Sequence, residues 1–168
     1  SLFNVNNGGT YNHNVAGSVP HGAVSDWPGI NTRTYGATSN VIISQWAQNG
    51  ADTTIGIPAP TSGGWGNVTI NVSQKYSGNW HQKGAFNNIA GNLILNNLGF
   101  TSDSKQFFSF YQQLPGDTIN IGGNFVMNTP STNGIILCQN DDPGPSGAST
   151  HVMNVHGNFT VSGGHIKP

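Results

Sequence analysis

The chain contains no glutamate, a single arginine (Arg33) and a single cysteine (Cys138), and charged residues fill only 7% of its 168 positions. An ordinary soluble domain carries about 25%. The strong helix formers are alanine, leucine, glutamate, lysine, arginine and glutamine; here there are six leucines, nine alanines and four lysines. That scarcity argues against an all-α or an α/β fold. Five basic residues spread along the chain do not form the cationic cluster that phosphate backbones require, so no nucleic-acid partner is expected. No run approaches the roughly 18 consecutive apolar residues of a membrane helix, so no membrane span is expected either.

Cys138 follows Ile135-Ile136-Leu137 and reads as a small buried hydrophobe. No neighbouring base or positive charge would activate its thiol. The chain begins with Ser1, and no basic-then-apolar leader precedes its first strand-like segment; a signal peptide is expected to be absent or already removed.

Glycine (24) and asparagine (23) are what the chain has in quantity, together with 35% hydrophobic and 10% aromatic residues. The hydrophobic share is enough for a thin core. Sequence rich in Asn, Gly, Ser and Thr with few charges points to an extracellular, cell-surface location. The length fits one domain or a piece of something longer.

A six-residue pattern, Gly-Asn-apolar-x-apolar-Asn/Ser, occurs four times: Gly66 to Asn71, Gly91 to Asn96, Gly123 to Asn128 and Gly157 to Ser162. The three later copies also carry an apolar residue two places before the glycine: Ile89, Ile121 and Val155. Strand side chains alternate faces. Phe125 and Met127 should therefore face one way, and Asn124, Val126 and Asn128 the other. Bends would fall at the glycines, with the asparagines bonding their own backbone or taking a left-handed corner. Further strand candidates are Gln106 to Tyr111, Gly134 to Cys138 and His151 to Val155, each flanked by turn formers.

The two chain ends also look alike, Phe3 to Tyr11 against Phe159 to Ile166. Stacked repeats normally carry polar terminal caps, and none is evident. The chain is thus expected to be one module over 1–168, cut from a longer repetitive polypeptide. Residues 17–66 are less regular, with Trp27, Trp46, Trp65 and four prolines; Ser39 to Ser44 could be a strand. Asp141 to Gly147, with two prolines and two glycines, must be a loop.

Two all-β architectures fit: a parallel β-helix (β-solenoid), with the copies as stacked rungs, or an antiparallel β-sandwich. Repeat spacing and composition favour the β-helix, because like residues one above another form Asn ladders and apolar stacks at about 4.8 Å per rung. Val68, Ile70, Leu93, Leu95, Phe125, Met127, Phe159 and Val161 would form the core stack.

The copies ending in Gly157-Asn158-Phe159-Thr160-Val161-Ser162-Gly163-Gly164, and the segment Asn6 to Val15 followed by Pro20 and Trp27, resemble repeat regions of giant secreted adhesin-like proteins of the Bacteroidetes. The resemblance covers the first 30 residues and most of 85–168; the middle departs from it. It implies export to the cell surface by a type IX route and a role in adhesion, motility or filament formation. It brings no catalytic residues.

The chemistry written in the chain is sparse. Asp141-Asp142 is the one adjacent carboxylate pair, and Asp-Asp-Pro-Gly is foremost a turn. Calcium is the rival assignment, with further oxygens from Asp103, Asp117 or carbonyls. His151 and His156 stand an odd number apart and so fall on opposite strand faces; the six histidines show no metal-binding spacing. No nucleophile elbow or phosphate loop is present, and an enzyme is not expected. Trp65, Trp80, Tyr76 and Tyr111 could form a glycan-stacking platform, or plug the ends and seams of a thin core. Matches to the N-glycosylation pattern at Asn67, Asn71 and Asn158 arise by chance in such a composition. The expectation is a non-catalytic structural or adhesive module of a surface filament, with no cofactor other than calcium. Its partners would be copies of itself or tandem modules. A carbohydrate-binding module and a β-helix enzyme acting on polysaccharide are the alternatives.

Overall fold

A computed structural model describes residues 1–14, 27–28, 31–45, 52–53, 57–76, 79–81, 85–100, 107–110, 118–130, 134–136 and 152–167. Among these there is no helix. The strands are β1 (Leu2–Val5), β2 (Thr10–Asn14), β3 (Thr32–Tyr35), β4 (Asn40–Gln45), β5 (Asp52–Thr53), β6 (Asn67–Tyr76), β7 (Asn79–His81) and β8 (Asn88–Ile89). They continue with β9 (Leu93–Phe100), β10 (Phe107–Ser109), β11 (Thr118–Ile121), β12 (Phe125–Asn128), β13 (Gly134–Ile136), β14 (Val152–Val155), β15 (Phe159–Gly163) and β16 (His165–Lys167).

Every pairing among the described residues is parallel. Strands adjacent in sequence do not pair; each joins the strand one repeat earlier or later. The largest sheet has the order β15-β12-β9-β6-β4-β2, a second runs β16-β13-β10-β7-β5, and a third runs β14-β11-β8. A separate pair, β1-β3, stands at the N-terminal side. In the repeat holding β6, the first strand is reduced to one parallel bridge, Trp65 to Ile89. An antiparallel sandwich requires antiparallel neighbours, and the described strands have none; that alternative is corrected.

The four sequence copies supply β6, β9, β12 and β15 of the largest sheet, in register: Val68 pairs with Leu93, Leu93 with Phe125, and Phe125 with Phe159. Two more copies were hidden. β4 follows Ser39, which stands where the others have glycine, and β2 begins with Thr10, where the others have asparagine. Thus β3, β4 and β5, within the span expected to be less regular, join the same pattern of parallel pairing.

Alternation places two columns on the buried face. One runs Tyr11, Val41, Val68, Leu93, Phe125, Phe159; the other runs His13, Ile43, Ile70, Leu95, Met127, Val161. From Val41 and Ile43 through Phe125 and Met127 these side chains are wholly buried. Full burial of each contributes about 1.5–3 kcal/mol relative to exposure. Phe159 and Val161 are a correction: they are 50% and 42% exposed. They face the same way as Phe125 and Met127, but β15 is the outermost strand and no described strand covers its far side.

The likeness of the chain ends is also corrected. Phe3 lies in β1 and pairs with Arg33 of β3, whereas the position equivalent to Phe159 is Tyr11 of β2. Corner length causes the offset. Asn6 to Gly9 and Gly36 to Ser39 are four-residue corners, each closed by a turn hydrogen bond of 2.9 Å, whereas Gly66 alone separates Trp65 from β6. Gly8 takes a left-handed φ of 74° at the third place of its turn, a conformation that favours glycine.

Candidate functional site

The Gly-Asn dipeptide recurs because its two residues serve two neighbouring repeats at once. Asn92 N–H donates to Asn67 Oδ1 at 2.9 Å, Asn124 N–H to Asn92 Oδ1 at 2.8 Å, and Asn158 N–H to Asn124 Oδ1 at 2.8 Å. Asn67 Nδ2 reaches back to Asn40 Oδ1 at 3.3 Å, and Asn92 Nδ2 donates to Asn67 Oδ1 at 3.2 Å. The carboxamides thus form a ladder up one seam of the large sheet. The sequence suggested bonds to their own backbone; instead they accept from the next repeat's backbone N–H groups.

The preceding glycine makes room for that ladder. A Cβ on Gly123 would lie 2.5 Å from Asn92 Oδ1, and Cβ atoms on Gly91 and Gly157 would collide with Asn67 Oδ1 and Asn124 Oδ1. None of these three glycines has a left-handed φ, so space rather than conformational freedom selects glycine here. A second ladder runs on the exposed face of the β14-β11-β8 sheet, where Asn154 Nδ2 donates to Asn120 Oδ1 at 2.9 Å.

The aromatic side chains form a chain of contacts inside the stack. Trp65 stacks on Tyr35 with centroids 4.6 Å apart, tilts against Phe86 at 5.3 Å and meets Trp27 edge-on at 6.1 Å. Trp27 in turn stacks on His13 at 4.4 Å and donates its Nε1–H to the Tyr35 hydroxyl at 2.9 Å. Burial pushes the Tyr35 phenol up to about 12, against the smaller opposing effects of the Trp27 hydrogen bond and the Arg33 charge. Burial, with a smaller contribution from Tyr35, raises Tyr11 to about 12 as well.

Trp65 is therefore a correction. It is 1% exposed, and its indole N–H donates to the Ala85 carbonyl at 2.6 Å, so it has no face to offer a sugar. Its alternative role, core filler, is what its surroundings support. Tyr76 and Trp80 lie in β6 and β7, but their side chains are outside what is described. Tyr111, Cys138, Asp103, Asp117, Asp141, Asp142 and His151 lie outside the described residues. Among the described residues no group of three His, Cys, Asp or Glu is placed to hold a metal ion, and no helix is long and apolar enough to cross a membrane.

Among the described residues, the outermost strands of each sheet have described partners on one side only. At the C-terminal side these are β14, β15 and β16; β14 and β15, with the corner before β15, expose Val152, Asn158, Phe159 and Val161. At the N-terminal side, β1 and β2 are likewise paired on one side, with Leu2 73% exposed and Phe3 and Tyr11 half-buried. β1, β2, β14 and β15 contain no Asp, Glu, Lys or Arg, whereas β16 includes Lys167. Repetition signalled the ladder; which repeats stood outermost had no signal in the sequence. Comparison with protein-family models, with curated proteins and with solved structures returns no match.

Proposed function

We propose that this chain is a three-sided parallel β-helix that works as a non-catalytic structural or adhesive module of an extracellular bacterial surface filament or giant adhesin. The observation that carries the proposal is the unbroken in-register stack from β2 to β15, with its Gly-Asn ladder. Stacking of equivalent layers accounts for the recurring residues, as expected of a solenoid whose repeats contact mainly their neighbours. An elongated rod of this kind, with few charges to repel a close neighbour, suits a scaffold exposed at a cell surface. The resemblance of the Gly157 to Gly164 segment to Bacteroidetes adhesin repeats points the same way.

Immunogold labelling of intact source cells with an antibody against the chain tests the proposal. The expected result is label on fibrous material outside the cell. Label confined to the cell interior would contradict it.

A further inference from the structure

We draw no further inference here: the strongest candidate, the outer face of the six-stranded sheet, where the half-buried Ile42, Thr69, Ile94 and Val126 form a column beside the asparagine ladder, carries nothing because nothing in the structure shows what covers it.

Discussion

If the glycine of each Gly-Asn pair exists to make room for the preceding asparagine, then the two positions are energetically coupled. Gly91 and Asn67 are the best place to measure this. A Cβ on Gly91 would meet the Asn67 carboxamide, whereas the nearest backbone atom, the Gly66 carbonyl oxygen, is 3.3 Å away. In the parent chain, Gly91→Ala must push Asn67 aside. That breaks its bonds to the Asn92 N–H (2.9 Å) and Nδ2 (3.2 Å), and the weaker contacts with Asn40 and the Ser39 carbonyl (3.3 Å each). Leaving one part-buried N–H unsatisfied costs about 1–3 kcal/mol. The alanine returns about 0.4–1 kcal/mol by restricting the unfolded chain. The net loss should be about 1–2 kcal/mol. In an Asn67→Ala background the obstruction is gone, and the same Gly91→Ala change should be neutral or stabilising by about 0.5 kcal/mol. Urea unfolding of the four proteins gives the coupling directly. Equal costs for Gly91→Ala in both backgrounds, within about 0.5 kcal/mol, would refute the ladder as the reason for the glycine.

Position in the stack should govern the cost of losing a core ring: Phe125→Ala should lose about 3–5 kcal/mol, and the half-exposed Phe159→Ala about 1 kcal/mol, by urea unfolding. Ser39 is wholly buried and its hydroxyl has no hydrogen-bond partner; Ser39→Ala should raise the unfolding midpoint, by about 1 kcal/mol in stability. Tyr35 and Tyr11 keep their protons to about pH 12 when folded, against an ordinary value of 10.0. Because the unfolded chain ionises first, their contribution is intact below pH 10 and lost as pH rises from 10 towards 12; melting followed against pH should show the fall there, reduced in Tyr35→Phe.

The sequence revealed the four copies that keep both glycine and asparagine, because carboxamide and cleared space are needed together. It concealed the two copies that keep only one of them. At Ser39 a small side chain is accommodated in the glycine place, opposite Gly66, where a Cβ would in turn collide with Ser39. At Thr10 no carboxamide is used, because the Asn40 N–H of the next repeat donates to the Gly9 carbonyl at 2.8 Å. Corners of one to four residues hid the register of the chain ends. Trp65 misled because an aromatic side chain in an alternating strand carries no label for inside or outside. Its place immediately before Gly66 was the available sign, since it corresponds to Ile89 on the neighbouring repeat. Phe159 and Val161 follow the core pattern faithfully; only the absence of a described strand beyond β15 leaves them open to water.

The central claim is that residues one repeat apart lie directly above one another in parallel register. Through-hydrogen-bond scalar couplings in solution NMR test it most directly. Couplings are expected from the N–H of Val68, Leu93 and Phe125 to the carbonyls of Asn92, Asn124 and Asn158, whose hydrogen bonds are 2.8, 2.9 and 2.9 Å long. Couplings that instead join strands adjacent in sequence, as in antiparallel hairpins, would contradict it.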